Sequence, residues 1–337
     1  MLPFKSGAVS WPASGRVLFL RARAGAGLPP EAVHWTCEQS FRPFAQALDR
    51  SGLTSVAVAD AGVFDLVLIL PPRQRDESRA LLARALQSLT GNGRVVASML
   101  NSEGARSAES DLLQLAGSVQ ALSKNKCRVF WADANNQASD QSLISQWAQL
   151  DAPRAIADAR FLSRPGLFAW DRIDTASMML AACLPAELSG RGADLGAGFG
   201  YLAAEIVARC PAVVSLDLYE AEARALELAR VNLTNPAGPA TSVAFGYYWH
   251  DVACGLPGRY DFIVCNPPFH QGRTEQPDLG RAFIAAAADA LVPGGSLWLV
   301  ANRHLPYETT LAQGFASIRT VIQANGFKII KAIKAGT

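Results

Sequence analysis

The chain has no apolar run near the ~18 residues that a membrane-crossing helix needs. Its most apolar stretches, Val63–Leu70 and Ala282–Val292, are short, and each contains an aspartate. The first residues offer only Lys5 ahead of a weakly apolar stretch broken by Pro12 and Arg16, which is not the pattern of a secretory leader. The six cysteines, at 37, 127, 183, 210, 254 and 265, form no C-x-x-C pair. That spacing argues against a zinc site or a disulfide framework and suits a reducing, cytoplasmic compartment. Charge is also scarce, at 18% of 337 residues, whereas half the residues are apolar. Such a composition excludes a disordered or coiled-coil protein and leaves core enough for two domains of ordinary size.

The net charge of +2 becomes informative only when divided. Residues 1–160 carry 17 basic against 14 acidic side chains, and residues 161–337 carry 14 against 15. Neither half is the strongly basic body of a bulk nucleic-acid binder. Any RNA contact has to come from local clusters: Arg16/Arg21/Arg23, Arg73/Arg75/Arg79/Arg84 and Lys124/Lys126/Arg128. The second cluster reads equally well as the solvated face of a helix.

The two halves repeat one plan. In the first, the apolar run Phe64–Leu70 ends in Pro71-Pro72, followed by a helical pattern over 76–89, Gly91-Asn-Gly93 and a strand pattern Arg94–Met99. In the second, Tyr260–Asn266 ends in Pro267-Pro268, followed by a helical pattern over 279–291, Pro293-Gly294-Gly295 and the strand pattern Ser296–Ala301. The tails Met99-Leu-Asn101 and Val300-Ala-Asn302 also look alike. Continuous apolar strands alternating with helices indicate an α/β fold with buried parallel strands. Two tandem domains of one fold, 1–155 and 165–337, are expected, with a linker near 150–165.

The halves differ where chemistry would sit. After the strand Arg16–Leu20 the first half continues Arg21-Ala-Arg23-Ala-Gly25-Ala-Gly27, without an acidic residue at the strand end, and it has Leu70 where the second half has Asn266. In the second half Gly192-Ala-Asp194-Leu-Gly196-Ala-Gly198-Phe-Gly200 precedes a helical run, Tyr201–Cys210. A strand, a glycine turn and a helix start let a ligand approach backbone amides closely; a packing turn is the simpler alternative. The spacing differs from the G-x-G-x-x-G of dinucleotide folds. Asp194 would repel a pyrophosphate yet can hold an amino-acid moiety, which favours S-adenosylmethionine over NAD. Asp217, taken as the end of the strand Val213–Leu218, is a candidate for two ribose hydroxyls or for capping the next helix.

Asn266-Pro267-Pro268-Phe269 closes an apolar strand at the sheet edge where ligands bind in α/β folds. The prolines fix a rigid turn. The Asn266 side-chain oxygen and the Pro267 carbonyl can accept both hydrogens of a planar NH2 group, and Phe269 offers a face on which a flipped base can stack.

Asp-Leu-Gly-Ala-Gly-Phe-Gly with Asn-Pro-Pro-Phe resembles class I S-adenosylmethionine-dependent amino-group methyltransferases. Pro165-Gly-Leu-Phe168, Ile173-Asp174-x-x-Ser177, Asn266-Pro-Pro-Phe-His270-x-Gly272, Ala301-Asn302-x-x-Leu305-Pro306-Tyr307 and Gly326-Phe327-Lys328 narrow the likeness. They resemble the ribosomal RNA guanine-N2 methyltransferase family, in which the type C enzymes of the small subunit are nearest and the type G enzymes of the large subunit next. The likeness covers residues 161–335 and extends loosely to Arg106-Ser-Ala-Glu109 and Ser123-Lys-Asn-Lys126. It implies two tandem Rossmann-like methyltransferase domains, the N-terminal copy degenerate and serving as RNA-binding surface or scaffold. The implied reaction moves a methyl group from S-adenosylmethionine to the N2 of a guanosine in ribosomal RNA or an assembled subunit, with no metal. Asn266 and Pro267 would orient the amino group and Phe269 would stack. Asp194, Gly196, Gly198, Gly200 and Asp217 would hold the cofactor, with Asp251 at the adenine amino group and Asp174 capping a helix and touching the cofactor. His270 would be either a proton acceptor or a surface residue, and His304 and Tyr307 would line the base pocket. Ala176 stands where the family usually has glycine, and Tyr247-Tyr248-Trp249-His250 is unusually aromatic.

Asn-Pro-Pro serves any planar amide, so methylation of a protein Gln or Asn amide is the rival reading. DNA adenine methylation lacks an obvious recognition insertion. A retired enzyme acting only in RNA binding or ribosome assembly sits poorly with an intact Asp194, Asp217 and Asn266.

Overall fold

The computed structural model describes residues 2–12, 15–25, 34–134, 138–234, 242–268, 270–271, 274–275 and 277–336. The chain divides into two compact units, Met1–Pro153 with Arg164–Gly166, and Arg154–Ser163 with Leu167–Thr337. The crossover is interleaved where the sequence suggested a plain linker near 150–165. Among the described residues no helix is long and apolar enough to cross a membrane.

The first unit holds β1 (Arg16–Leu20), β2 (His34–Glu38), β3 (Ser55–Val56), β4 (Phe64–Ile69), β5 (Leu89–Leu100), β6 (Gln120–Lys124) and β7 (Cys127–Asp133). They form one sheet in the order β3-β2-β1-β4-β5-β7-β6. An antiparallel ribbon of β8 (Arg154–Ile156) and β9 (Phe161–Ser163) follows. The second unit continues with β10 (Ser189–Leu195), β11 (Ala212–Glu220), β12 (Ala244–Trp249) and β13 (Tyr260–Cys265). After a short ribbon of β14 (His270–Gln271) and β15 (Thr274–Glu275) come β16 (Leu291–Asn302), β17 (Ser317–Ala324) and β18 (Phe327–Ile333). The second sheet repeats the order of the first, β12-β11-β10-β13-β16-β18-β17. In each, six strands run in one direction, and the strand next to the last in the order, β7 or β18, runs antiparallel between its two neighbours.

The repetition reaches single hydrogen bonds. The Arg16 amide donates to Asp65 Oδ2 at 3.0 Å, and the Arg191 amide donates to Asp261 Oδ2 at 2.7 Å. Pairing jumps from Phe64↔Leu89 to Leu66↔Arg94 in one sheet and from Tyr260↔Leu291 to Phe262↔Ser296 in the other. At this excursion a Cβ on Gly93 would meet the Phe64 carbonyl at 2.9 Å, and one on Gly295 would meet the Val292 carbonyl at 2.9 Å. Counting through it pairs Leu100 with the place of Asn302, so the apparent match of Asn101 to Asn302 is one residue out of register. The last hairpin of each sheet turns on two positive-φ residues, Asn125-Lys126 and Asn325-Gly326, as the right-handed twist of two-residue hairpins requires.

Core packing fixes the second sheet on both faces. Ala193, Ile263, Leu297 and Leu299 pack beneath the helix Pro277–Ala290. Leu216, Leu218, Val264 and Val300 face the helices Thr175–Cys183 and Tyr201–Arg209. Each fully buried Leu, Ile or Val contributes about 1.5–3 kcal/mol of transfer free energy. The chain leaves β10 leftward to β11 and β12 and returns rightward to β13. A crevice therefore opens at the carboxyl ends of β10 and β13, the switch point where open α/β sheets bind ligands.

Candidate active site

Strand alternation sends Ala193 and Leu195 into one core and Asp194 toward the other face, where it is fully buried. Neither Asp194 carboxylate oxygen has a hydrogen-bond partner. Burial, and then the negative charge of Glu220, push its pKa up to about 8, against the opposing effect of the nearby Ala203 amide, which stops short of a hydrogen bond. An orphaned buried carboxylate is costly unless a cation joins it. A primary ammonium satisfies that need. The turn beyond it carries positive φ at Gly196 (+74), Gly198 (+55) and Gly200 (+90). Space around a Cβ built on Gly198 is empty within 4 Å, so that side of the turn is open to a ligand. These features fit the amino-acid end of S-adenosylmethionine.

The neighbouring strand differs from expectation. β11 runs through Tyr219 to Glu220, two residues beyond its apolar run, because it pairs with the aromatic stretch of β12: Leu218↔Tyr247, Tyr219↔Tyr248, Glu220↔Trp249. Asp217 therefore lies inside the strand, and its Oδ2 accepts from the Tyr260 hydroxyl at 2.8 Å. Tyr260 in turn meets the Tyr219 hydroxyl at 2.6 Å. Glu220 takes the strand end, accepting from the Gly198 amide at 2.8 Å and the Glu222 amide at 2.8 Å. Burial raises its pKa, and those amides oppose the rise.

The aromatic run at the end of β12 packs locally. Tyr248 stacks on Tyr219, Trp249 Nε1 donates to the Ala221 carbonyl, and His250 Nε2 lies 2.7 Å from the Gly255 carbonyl. Asp251 follows and caps the short turn Val252–Cys254, its Oδ1 accepting from the Ala253 amide at 3.0 Å.

Across the crevice, parallel pairing of Leu195 with Cys265 sets Gly196 beside Asn266. A Gly196 Cβ would lie 3.7 Å from the Asn266 carbonyl oxygen. Asn266 Nδ2 donates to Asp174 Oδ2 at 3.1 Å and to Ser177 Oγ at 2.7 Å. Asp174 is the N-cap of the helix Thr175–Cys183, its Oδ2 accepting from the Ser177 amide at 2.8 Å. Pro267 is buried and Pro268 exposed. Phe269 and the His270 side chain lie outside the described residues. His304 is exposed, whereas Tyr307 is fully buried with its ring against Gly280. Tyr307 thus packs the core instead of lining an open base pocket.

The structure brings Asp194, Gly196, Gly198, Glu220, Asn266 and Asp174 to the carboxyl ends of β10, β11 and β13 and leaves Asp217 inside the sheet. Sequence reasoning missed Glu220 because it stopped the strand with the apolar run. The length of the aromatic partner β12 was the available signal. Five of the ten residues in the basic clusters of the first unit form ion pairs, Arg21 with Glu77 among them. Arg84 forks onto Glu38 at 2.7 and 2.6 Å, Arg75 and Arg79 share Asp111, and Arg128 bonds Glu109.

Residues 158–331 match the family described as "Methyltransferase small domain". The chain is 27% identical to the ribosomal RNA small subunit methyltransferase C of Psychromonas ingrahamii over 88% of its length and 85% of that protein. It is 29% identical to the Shewanella pealeana protein of the same name, covering 80% of this chain and 78% of the relative. The fold superposes with a TM-score of 0.77 on the T. thermophilus 16S rRNA N2 G1207 methyltransferase in complex with AdoMet and guanosine. That likeness has 24% identity and covers 97% of this chain and 90% of the other.

Proposed function

The chain belongs to the methyltransferase small domain family, and from that premise we propose that it methylates the exocyclic N2 of a guanosine in small-subunit ribosomal RNA, using S-adenosylmethionine. The observation that carries this reading is Asn266 at the end of β13, its amide nitrogen engaged by Asp174 and Ser177 and its backbone beside the glycine turn. The small-subunit relatives, aligned along most of both chains, support the substrate.

When bound, S-adenosylmethionine supplies a methyl group already activated on sulfonium. The chain's residues bind, orient and shield. Asp194 meets the ammonium and Glu220 takes the ribose hydroxyls, replacing Asp217 in that role, while Asp251 Oδ2, which accepts from the Cys254 thiol at 3.8 Å, offers its second lone pair to the adenine amino group. Asn266 Oδ1 and the Pro267 carbonyl accept the two hydrogens of the guanine NH2, turning the nitrogen lone pair out of conjugation and toward the methyl carbon. Phe269 stacks on the base. With the cofactor held by these residues, its methyl group would pass from sulfonium to the aligned nitrogen, which would give up one proton to water. Alignment of this kind lowers barriers by ~7–11 kcal/mol without a general base. Methyl transfer belongs to the second unit, and the first serves as scaffold or RNA-contact surface. A ribosomal RNA substrate is consistent with a cytoplasmic enzyme.

The test is transfer from labelled S-adenosylmethionine to separated ribosomal subunits, protein-free rRNA and a ribosome-depleted protein extract. Label recovered as N2-methylguanosine from small-subunit rRNA is expected. Label in large-subunit rRNA would move the substrate to the other subunit, and label in a protein band would overturn the reading in favour of amide methylation.

A further inference from the structure

We propose that Asp174 and Ser177 are positioning residues whose task is to hold the Asn266 side-chain amide in the single orientation that presents its oxygen to the substrate amino group. The inference rests on the methyl-transfer reading above and reassigns Asp174 from cofactor contact to control of Asn266.

An asparagine amide has two ends of similar shape and opposite hydrogen-bonding sense. Only the oxygen can accept from a substrate NH2; a flipped amide would set donor against donor. An ionised carboxylate accepts and never donates. Asp174 Oδ2 at 3.1 Å and Ser177 Oγ at 2.7 Å both lie against Asn266 Nδ2, so rotating the amide would press its oxygen onto a carboxylate oxygen. The side-chain oxygen is thereby directed away from both.

The local sequence builds this clamp from a helix start. Asp174 is the N-cap and Ser177 the third helical residue. In a capping box the third residue's side chain reaches back to the N-cap amide. Here the Asp174 carboxylate caps the Ser177 amide, while the Ser177 hydroxyl accepts from Asn266. One carboxylate oxygen both starts the helix and fixes the amide, and the Asp-x-x-Ser spacing serves both jobs.

Capping and orienting can be separated. Serine and aspartate are comparable N-caps, but the serine side chain is too short to reach Asn266. Asp174→Ser should therefore keep the melting midpoint and leave S-adenosylmethionine affinity within about twofold, yet lower kcat on small-subunit rRNA about tenfold. Asp174→Asn, whose Oδ1 can occupy the Oδ2 position and accept both bonds, should recover kcat to within about threefold of wild type. Asn266→Ala should lower kcat by about 10², and adding Asp174→Ser to it should cost less than about twofold more, because the two act through one group. An Asp174→Ser enzyme with cofactor affinity lost and kcat intact would overturn the proposal. So would an undiminished effect of Asp174→Ser in the Asn266→Ala background. Failure of the rRNA reading would appear differently, as wild-type transfer to another amino acceptor, and the same variants run on that acceptor decide the positioning claim.

Discussion

At the end of β10 the second unit places Asp194, Gly196 and Gly198; at the corresponding positions of β1 the first unit has Phe19, Arg21 and Arg23. On the next strand Gln39 stands for Glu220, and after the following one Leu70 stands for Asn266. The backbone has the same shape in both. Arg21 retains positive φ (+55) where Gly196 has +74, and Gln39 Oε1 accepts from the Phe41 amide as Glu220 Oε1 does from Glu222. Gln39 Nε2 donates to the Ala22 carbonyl, closing the turn on itself. Arg23 lies over the Phe44 ring. The difference teaches that one sheet and its turns can carry two different crevices, and on the proposed reading five residues decide whether a ligand binds there.

The largest effect should come from copying the first unit into the second. Gly198→Arg recreates Arg23 at the open side of the cofactor turn. Its Cβ meets nothing within 4 Å, so the backbone strain at φ +55 costs only about 1–2 kcal/mol and the protein stays folded. The side chain, however, fills the ligand's space. S-adenosylmethionine affinity measured by titration should fall more than about 100-fold, or at least ~2.7 kcal/mol. A Gly198→Arg variant that binds normally would break the comparison at its centre.

A smaller effect separates Asp194 from Phe19. The Asp194 pKa of about 8 lies above its unfolded value near 3.9. Between these values the native state holds a proton that the unfolded chain has released, so stability without cofactor falls as pH rises through this window. The slope is at most about 1.4 kcal/mol per pH unit and disappears above about pH 8. Pairing with an ammonium requires the charged carboxylate, so binding should expel a proton and tighten up to about tenfold per unit below pH 8. Calorimetric titration in two buffers of different ionisation enthalpy reads the released proton directly. Asp194→Asn should abolish both dependences. The first unit, with Phe19 in that place, contributes neither.

Much of this was legible in the sequence. The two Pro-Pro-terminated runs read as buried strands because they are apolar throughout, and Asp174 read as a cap because its position before a helical pattern demands one. Three features were not. β11 extends to Glu220 through pairing with β12, which no single strand's pattern records. Strand pairing sets Leu100 in the place of Asn302, whereas the eye, drawn by the shared asparagine, aligns Asn101 with it. Ser177 touches Asn266 across 89 residues. Its part depends on tertiary closure that local spacing cannot express. The same holds for Arg84, whose partner Glu38 is 46 residues away.

That ion pair offers the smallest functional effect and the sharpest control on the roles of the two units. Glu38 is buried, and its carboxylate binds both Arg84 guanidinium nitrogens and the Ala59 amide. The structurally equivalent residue of the second unit is Tyr219, joined by its hydroxyl to Tyr260. The first unit thus secures by charge a position that the second secures by aromatic packing. Arg84→Met keeps the aliphatic stem but leaves the Glu38 carboxylate with a single amide. Removing one partner of a buried pair costs about 3–5 kcal/mol, and the partial exposure of Arg84 lowers this to about 2 kcal/mol. Chemical denaturation should show that loss in the transition of the first unit, while S-adenosylmethionine affinity stays within about twofold. A matching fall in cofactor affinity would mean that the first unit shapes the cofactor site itself, and the proposed division of labour between scaffold and catalytic unit would have to be redrawn.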